Sequence, residues 1–509
     1  MTYRLIQSKG KLRSLMESNV GETLSIDLET TSLRPSEAEI VGVALSFNDD
    51  AYYIPVAHEL GGNVPLADVL SVLKKPLEDM LWPKVGQNIK YDATVLRFNG
   101  ISMLGIRGDS MIAQYLLDPV EPKSLDAMAK KYLSLTTIKY KDVVPKGKSF
   151  TDVPIDVACE YAAEDALVAL KLNTLLRDKI DEERLNNLYK LEIDVLNVLI
   201  DVESIGVALD IPYLKSLSEK FTNKMVELKD RMLDVAGRDV NINSGKQLQE
   251  LMYDEWGLPR GRRTKTGWAV DATELKRLSS EHEFPSLLLE YRIVTKMLST
   301  YIDALPALVS TKTGRLHGNF NQAITRTGRL SSSKPNLQNI PARGDMGDIL
   351  RKAFIAGTGN VLVGADYSQV ELRLFAHFSG DRDLVKTYKE GGDVHCLTAS
   401  KIFDTPSPSK EQRDKAKTVN FGILYGMYGK RLAKEINVTV GEAEEFLEAY
   451  YAAFPGVSKF IDRTVKSARK KGYAETYLGH RRYLPSITSP DRFSRTQACL
   501  LYTSPSPRD

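Results

Sequence analysis

The sequence predicts a multidomain protein that combines α/β and α+β folds. Its 509 residues are 42% hydrophobic, and at roughly 150 residues per domain this length suggests about three compact units. Alternating polar and apolar residues near the N-terminus indicate β-strands, whereas long stretches after residue 185 carry the periodicity of helices. A short apolar segment at residues 361–365 then predicts a further buried strand.

Composition and charge limit the classes of protein that fit. The 69 basic and 66 acidic residues nearly balance, so any contact with a polyanion must use local patches. Cys159, Cys396 and Cys499 stand far apart without a CxxC pair, which argues against a zinc site or a disulfide framework and fits a reducing cytosol. The sequence has no signal-peptide pattern at its start and no stretch near the roughly 18 apolar residues that span a bilayer. We therefore expect a cytoplasmic, monomeric protein without a membrane segment.

Acidic residues in the first 180 positions have the spacing of a metal site. Polar and apolar residues alternate through Asp27 and Glu29, as in a strand, which places both carboxylates on one face. Asp92 lies at the start of a helical pattern, and Tyr161 precedes Asp165 by four residues, so a phenol and a fourth carboxylate share one helical face. Four such acids could hold two divalent ions about 4 Å apart while the phenol orients an attacking water, an arrangement that hydrolyses phosphodiesters.

The order and wording of these segments are more specific than any one of them, because a single DxE or YxxxD is more often surface decoration. Asp-Leu-Glu-Thr-Thr from residue 27, Asn-(x)2-Tyr-Asp ending at residue 92 and Tyr-(x)3-Asp ending at residue 165 resemble the three motifs of the DEDDy 3′–5′ exonucleases, the proofreading nucleases attached to family A DNA polymerases. The resemblance implies an RNase H-like α/β exonuclease domain over residues 1–182 that acts on single-stranded DNA 3′ ends. The implied ligands of two Mg²⁺ or Mn²⁺ ions are Asp27, Glu29, Asp92 and Asp165, with Tyr161 as a further catalytic residue.

Other features of this region are predicted to be structural. Strand patterns at residues 41–47 and 51–56, joined by Asn-Asp-Asp, predict a hairpin. Asp109 and Asp126 match no position of the three motifs, and we interpret them as acids that begin helices.

A second candidate site follows the last predicted strand. Asp366, at the carboxyl end of that strand, could bind a metal ion. Arg413, Lys417, Phe421 and Tyr425 recur at intervals of four, so a helix would gather cations at one end of a face and flat rings at the other. A nucleoside triphosphate has the same polarity. A turn aspartate and a solvated helix face are the structural alternatives.

The two segments together are far more specific than either alone. Residues 366–373, Asp-Tyr-Ser-Gln-Val-Glu-Leu-Arg, and the run Arg-(x)3-Lys-(x)3-Phe-(x)3-Tyr-Gly over residues 413–426 resemble motifs A and B of the family A DNA polymerases, the bacterial polymerase I type. The resemblance implies DNA-directed 5′–3′ DNA synthesis in replication or repair, by a right-hand domain of thumb, palm and fingers. Primer-template DNA and deoxynucleoside triphosphates would be its partners.

The resemblance gives roles to the residues of the two motifs. Asp366 would bind two Mg²⁺ or Mn²⁺ ions, and Lys417 would meet the triphosphate and protonate the leaving pyrophosphate. Arg413 would clamp the outer phosphates, and Phe421 would pack on the sugar.

Two further motif residues would select the sugar. Tyr425 and Glu371 would together close the space that a ribose 2′-hydroxyl needs. His395 could be an ordinary capping or core histidine, but it too matches a phosphate contact of the family. The implied nucleotide-binding set is Gln369, Glu371, His395, Arg413, Lys417, Phe421 and Tyr425.

A polar segment before motif A is predicted to contact DNA. Residues 325–341 are dense in amides, hydroxyls and arginine and have little apolar periodicity, which indicates an exposed or ligand-binding loop. The segment is similar to the family's primer-template segment, which tests base-pair shape from the minor groove. Arg481 matches a template-side arginine, although Arg482 is adjacent to it. The implied DNA-binding set is Arg329, Asn336, Gln338, Asn339 and Arg481.

The resemblance also divides the rest of the chain. It assigns residues 183–499 to the polymerase domain, with the thumb at about 190–310, the palm from about 311 and the fingers at about 380–460. In the predicted thumb, residues 258–267 hold four cations among glycines and threonines. We interpret this segment as a flexible basic loop for backbone phosphates, with a merely solvated loop as the alternative.

The resemblance ends near Cys499. The family continues to motif C, His-Asp-Glu, which supplies a second palm carboxylate, whereas residues 500–509 here form a Ser/Pro-rich segment. We interpret these residues as a non-family tail on a C-terminally truncated chain, with an incomplete palm and an open sheet edge beside the motif A strand. On this basis we expect weak or absent polymerase activity together with an intact nuclease.

Three functions stay open at this point. The first is a DNA polymerase with proofreading. The second is a stand-alone DEDDy exonuclease, for which residues 1–180 would suffice and motifs A and B would be unexplained. The third is a non-catalytic DNA-end-binding protein, which the presence of both Asp27 and Asp165 argues against.

Overall fold

The fold is seen in a computed structural model, which describes residues 2–341, 344–491 and 494–495. Packing divides the chain into two units. The first unit comprises Met1–Leu199, Asn321–Ser331 and Val363–Asp509, and the second unit comprises Ile200–Phe320 and Ser332–Leu362. The acidic segments and both polymerase-like motifs thus belong to the first unit.

A six-stranded sheet forms the N-terminal part of the first unit. Its strands are β1 (Thr2–Leu5), β2 (Leu24–Thr30), β3 (Ile40–Phe47), β4 (Asp50–Pro55), β5 (Lys84–Gly86) and β6 (Ile106–Asp109). Their order is β1-β4-β3-β2-β5-β6, so β2 lies between antiparallel β3 and parallel β5. The predicted hairpin is confirmed, because β3 and β4 pair antiparallel across a turn in which Asn48 has a left-handed φ of 52°.

Helices pack around this sheet. They are α1 (Lys9–Ser18), α2 (Leu66–Glu78), α3 (Ile89–Phe98), α4 (Ser110–Leu117), α5 (Leu125–Met128), α6 (Tyr140–Val143) and α7 (Ile155–Glu182). Helix α7 packs on β2, β3 and β4 through buried alanines and leucines. The two helix-start predictions are confirmed: Asp109 caps α4 by accepting from the Met111 N–H at 2.8 Å, and Asp126 lies in the first turn of α5.

The second unit is mainly helical. Helix α8 (Asn186–Ile205) leads into it, and its elements follow as β7 (Ala208–Leu209), α9 (Ile211–Ala236), α10 (Gly245–Gln249), β8 (Arg263–Thr264), β9 (Gly267–Trp268), α11 (Ala272–Leu278), α12 (Glu283–Met297), α13 (Ala304–Ala307), β10 (Asn319–Asn321), β11 (Ser331–Ser333), α14 (Gly344–Arg351) and β12 (Phe354–Ile355). Helices α9 and α12 pack together over a core that includes Met232, Phe284 and Leu288. Strand β7 pairs antiparallel with β12.

The basic segment predicted as a flexible loop in the thumb folds as a hairpin instead. Strands β8 and β9 pair antiparallel within it. Arg260 lies 2.7 Å from a carboxylate oxygen of Asp254, and Arg262 lies 2.5 Å from one of Asp271. These acids stand just outside the segment, so its own cation content overstated the charge it presents to a polyanion.

The C-terminal part of the first unit is a helical bundle followed by a small hairpin. Its elements are α15 (Val370–Ser379), α16 (Arg382–Lys389), α17 (Val394–Ile402), α18 (Lys410–Leu424), α19 (Gly429–Ile436), α20 (Val440–Ala453), α21 (Pro455–Lys471), β13 (Tyr473–Glu475) and β14 (Arg481–Tyr483). Leu372, Val419, Leu432 and Tyr450 belong to one apolar core that joins these helices. The helix predicted for motif B is confirmed as α18.

The strand predicted at residues 361–365 does not form. The segment has no regular secondary structure, and Val361 and Val363 are 81% and 85% exposed. A strand is stabilised by hydrogen bonds to a neighbour and by burial of one face. Among the residues that the structure describes, no strand pairs with this segment, so apolar content alone did not make it a strand.

Within the described ranges, no helix is long and apolar enough to cross a membrane. Cys159 and Cys396 are free thiols. Cys499 and the predicted tail at residues 500–509 lie outside the described residues.

Candidate active sites

Strand β2 and helix α3 bring three of the predicted acids together. Asp27 and Glu29 leave β2 on the same face, as the alternation predicts. Asp92 lies in the first turn of α3 and accepts a hydrogen bond from the Leu28 backbone N–H at 2.9 Å. Asp109 holds the start of α3 in place, because its Oδ2 accepts from the Ile89 N–H at 2.9 Å. The Leu28 backbone of β2 is thus joined to the first turn of α3 through the Asp92 side chain.

Helix α7 supplies the fourth acid and the tyrosine. Asp165 and Tyr161 are four residues apart on α7, and the phenol lies beside the carboxylate. Burial, followed by the charges of neighbouring acids, raises the pKa of Glu29 and of Asp165. Asp27 and Asp165 are both among the neighbours of Glu29, and Asp27 is a neighbour of Asp165. All five predicted nuclease residues therefore share one region over β2.

Burial dominates the electrostatics of this acid cluster, defined as Asp27, Glu29, Asp92 and Asp165. Burial raises the pKa of Asp27 to about 6. Glu29 and Asp92 are 8% and 3% exposed, and burial followed by repulsion from neighbouring carboxylates raises the pKa of each well above its ordinary value.

The donor chemistry of the acid cluster fits a divalent cation. Its oxygens are the ligands that Mg²⁺ and Mn²⁺ prefer, and like charges at this depth call for a positive partner. In the ranges that the structure describes, no three acidic, histidine or cysteine side chains converge tightly enough to form a closed metal site. The side chains therefore lie near one another without being drawn onto a single point.

Two aromatic residues beside Tyr161 were missed by the sequence reasoning. The Tyr140 and Phe150 rings lie 6.4 Å and 5.8 Å from the Tyr161 ring, and 6.3 Å from each other. Tyr140 is 51% exposed. Burial and the nearby Glu29 charge raise its pKa. The proximity of Tyr140 and Phe150 to Tyr161 could not be predicted from the sequence spacing, because the chain between residues 134 and 154 has no continuous periodicity.

The first unit also brings two motif residues of the second site into contact. The Tyr425 hydroxyl, at the end of α18, donates to Glu371 Oε2 in the first turn of α15. Arg329 donates to the other oxygen, Glu371 Oε1, at 2.9 Å. Burial and the Glu371 carboxylate raise the pKa of Tyr425. The structure thus places Glu371 between the two side chains predicted to select the sugar and to contact DNA.

Helix α18 presents the predicted motif B face. A capping box at Ser409 begins the helix. Arg413 Nε lies 2.8 Å from Asp393 Oδ2, and Lys417 is exposed. Further along, the Phe421 and Tyr425 rings stack with centroids 6.4 Å apart and 20° between their planes. Cations and rings therefore lie at opposite ends of one face, as the four-residue spacing predicts.

His395 and Gln369 are held by internal hydrogen bonds. His395 is only 2% exposed, and its Nδ1 accepts from Asn420 Nδ2 at 3.1 Å. Burial lowers its pKa, which favours the neutral ring. Gln369 begins α15 with a left-handed φ of 51°, and its Oε1 accepts from the Tyr388 hydroxyl at 3.0 Å.

Asp366 is the predicted site residue that the structure leaves apart. It follows the irregular segment at residues 361–365 and is exposed. In the part of the chain that the structure describes, no hydrogen bond or ion pair joins Asp366 to Arg413, Lys417 or any other side chain. Within motif A, Glu371 on α15 is therefore held in this site by hydrogen bonds, whereas Asp366 is not.

The predicted DNA-binding residues have mixed environments. Asn336, Gln338 and Asn339 are exposed in the second unit, where Asn336 Oδ1 caps a short turn by accepting from the Gln338 N–H at 3.1 Å. Arg481 differs, because its side chain is 14% exposed and its Nη1 lies 2.5 Å from Glu183 Oε2. The Arg481 guanidinium is thus engaged within the protein.

Comparisons with known proteins cover both parts of the chain. Residues 3–181 match the 3′–5′ exonuclease family, and residues 211–500 match DNA polymerase family A. The first match overlaps the predicted exonuclease domain at residues 1–182.

Similar proteins extend along nearly the whole sequence. DNA polymerase I of Pseudomonas aeruginosa is 38% identical over 493 residues, which cover 94% of this chain and 54% of that protein. DNA polymerase I of Borreliella burgdorferi is 37% identical over 97% of this chain and 55% of its own length. The chain thus spans about half the length of these curated relatives.

A solved structure has the same fold. It is the POL domain of Pol1 from M. smegmatis in complex with DNA primer-template and dNTP, which superposes with a TM-score of 0.85 at 30% sequence identity. The superposed region covers 98% of this chain and 84% of the M. smegmatis chain. The predicted fold class, an exonuclease domain followed by a polymerase domain, is confirmed. With more than half of its residues matched, the chain belongs to DNA polymerase family A.

Proposed function

We propose that this chain combines template-dependent 5′–3′ DNA synthesis with 3′–5′ proofreading hydrolysis of DNA. The observation that carries the proposal is the grouping of Asp27, Glu29, Asp92 and Asp165 in one region over β2, in a chain that belongs to a polymerase family. Its partners would be primer-template DNA, a single-stranded DNA 3′ end and deoxynucleoside triphosphates. The cytoplasmic location, the monomeric state and the domain boundaries within residues 183–499 stay predictions.

In the exonuclease domain, the acid cluster would hold two divalent cations, Mg²⁺ or Mn²⁺. Such ions supply an activated water and offset the charge that develops at the scissile phosphate. Tyr161 would orient the water, because its phenol lies beside Asp165 and keeps its proton: burial and the Asp165 charge raise its pKa. Tyr140, half exposed and next to Tyr161, would limit how the terminal nucleotide enters.

In the polymerase domain, the face of α18 would receive the triphosphate. Arg413 and Lys417 would contact phosphates, and Phe421 would pack on the sugar. Glu371, held by the Tyr425 hydroxyl, would block a 2′-hydroxyl sterically. Moving the Glu371 carboxylate aside would also break its hydrogen bonds to Tyr425 and Arg329, which costs free energy. Asp366 would bind the metal ions of synthesis, and Gln369 and His395 complete the proposed nucleotide set. The proposed DNA contacts are Arg329, Asn336, Gln338, Asn339 and Arg481.

One observation favours a nuclease without synthesis as a second candidate. The acid cluster is assembled on a hydrogen-bonded sheet, whereas Asp366 is exposed and has no side-chain hydrogen bond or ion pair among the described residues. The expected weakness of the polymerase stays a prediction, which activity measurements must decide.

The deciding experiment is primer extension with Mg²⁺ and all four deoxynucleotides, beside a lane without nucleotides and an Asp27→Ala variant. Extension that survives in Asp27→Ala would establish synthesis. Shortening of the primer that is lost in Asp27→Ala, without extension, would establish the nuclease alone. No change in any lane would contradict both functions and favour DNA-end binding.

A further inference from the structure

Helix α21 carries a row of cations that neither proposed active site uses. Lys459, Arg463, Lys466 and Lys470 recur at i, i+4, i+7 and i+11, which places them within about 60° of one another around the helix. All four are exposed, whereas Ala468 is buried on the opposite side. The row extends about 16 Å along the helix axis.

A ladder of aromatic rings runs beside this row. Phe460 and Phe378 stack with centroids 6.5 Å apart and 16° between planes, and Phe378 meets Tyr477 at 6.0 Å and 33°. Tyr477 is 85% exposed. Arg463 joins the row to the ladder, because its guanidinium lies 5.8 Å from the Phe460 centroid and donates to the Phe378 carbonyl oxygen at 3.5 Å.

The charge of the row is not neutralised locally. Helix α21 contains six Lys and Arg residues and one acid, Asp462. Glu475 on the neighbouring strand β13 pairs with Lys471, which lies outside the row. Within the described ranges, no carboxylate lies at ion-pair distance from Lys459, Lys466 or Lys470.

We propose that this α21 surface binds single-stranded nucleic acid at a place separate from motifs A and B. Its members are Lys459, Arg463, Lys466, Lys470, Phe378, Phe460 and Tyr477. A row of cations alone would attract any polyanion, including duplex DNA. The aromatic ladder selects a single strand, because base faces are free to stack on rings only when they are not buried in a duplex.

The test is the fluorescence anisotropy of a labelled thymidine oligonucleotide about 20 nucleotides long. Every protein carries Asp27→Ala and is kept in EDTA, so degradation and metal binding are absent and the outcome is independent of the proposed catalysis. Excess unlabelled primer-template occupies the polymerase motifs. We expect Tyr477→Ala to weaken binding about five-fold or more. The double variant Lys466→Gln/Lys470→Gln should weaken it similarly and reduce the salt slope by about 1.4.

The matched control is Lys11→Gln/Arg13→Gln, which removes two exposed cations from α1 and should leave the affinity unchanged. Unchanged single-strand affinity in both α21 variants would overturn the proposal. Equal losses for the oligonucleotide and for a blunt duplex would also overturn it, because they would identify a general polyanion patch. Thermal melting of each variant confirms that the losses are not caused by unfolding.

Discussion

Asp27 and Glu29 leave a strand with hydrogen-bonded neighbours on both sides, whereas Asp366 follows a segment that no described strand pairs with. Each was predicted from a strand pattern that carries a carboxylate. Polar and apolar residues alternate through Asp27 and Glu29, whereas a short apolar run precedes Asp366. In β2 the prediction is confirmed, and the residues on either side of Asp27 are fully or largely buried. At Asp366 the preceding valines and leucine are exposed.

The comparison shows that a strand pattern positions a functional side chain only when neighbouring strands are present to fix it. In β2, pairing with β3 and β5 fixes the backbone, and the Leu28 N–H then fixes Asp92. The mutual repulsion of the acid cluster is tolerated because this framework holds the acids in place. A segment without paired neighbours supplies neither a fixed orientation nor burial to the carboxylate that follows it.

The largest expected effect is on hydrolysis at the acid cluster, whose strand is paired on both sides. Asp27→Asn keeps the shape of the side chain but removes the charge that would hold a cation. Degradation of a labelled single-stranded 3′ end in Mg²⁺ should fall by more than the roughly 10- to 100-fold typical of residues that only orient metal ligands. Asp156→Asn, in the exposed first turn of α7, is the control and should retain the rate. Equal rates for both variants would show that the acid cluster is not the nuclease site.

The same substitution should stabilise the protein at high pH when divalent cations are chelated. Burial raises the pKa of Asp27 from an ordinary value of 3.8 to about 6, so the folded state binds its proton more tightly than the unfolded state. The free energy of unfolding therefore decreases as the pH rises through this window, and the full penalty remains above it. Asp27→Asn removes the penalty, which should raise the free energy of unfolding at pH 8 by about 1 to 3 kcal/mol.

Urea denaturation in EDTA at two pH values checks this sign. The variant should gain stability over the parent at pH 8 and gain little below about pH 3, where Asp27 is protonated in both the folded and the unfolded state. Added Mg²⁺ should raise the parent's stability more than the variant's, because the variant lacks one ligand. A variant that is destabilised at pH 8 would mean that the Asp27 charge is already compensated in the folded protein.

A smaller effect is expected in the second site, where the motif A helix rather than Asp366 is well placed. Glu371→Ala removes the carboxylate that Tyr425 and Arg329 hold. The ratio of ribonucleotide to deoxynucleotide incorporation in single-step extension should rise about ten-fold or more. Glu390→Ala, at the exposed end of α16, is the control. An unchanged ratio would show that Glu371 does not face the sugar.

The sequence allowed most of the fold to be predicted, together with the grouping of the five nuclease residues over β2, but not how each side chain is held. Periodicity identified β2, α7 and α18 because each element buries one face, and burial of one face leaves a regular pattern of apolar residues in the sequence. The engagement of Arg481 by Glu183, and of Arg260 by Asp254, could not be predicted, because side-chain pairing depends on tertiary contacts that no local pattern encodes. Tyr140 was missed for the same reason.

The smallest expected effect compares the burial of the sheet around β2 with that of residues 361–365. Valine to threonine hardly changes side-chain shape but adds a hydroxyl, which costs about 1 to 3 kcal/mol when it is buried without a partner. Val43 in β3 is fully buried, whereas Val363 is 85% exposed. Val43→Thr should therefore lower the free energy of unfolding by an amount in that range, and Val363→Thr by less than about 0.5 kcal/mol. If urea denaturation gives Val363→Thr the larger cost, this segment is covered in solution, and Asp366 is then positioned by a buried strand as its sequence predicts.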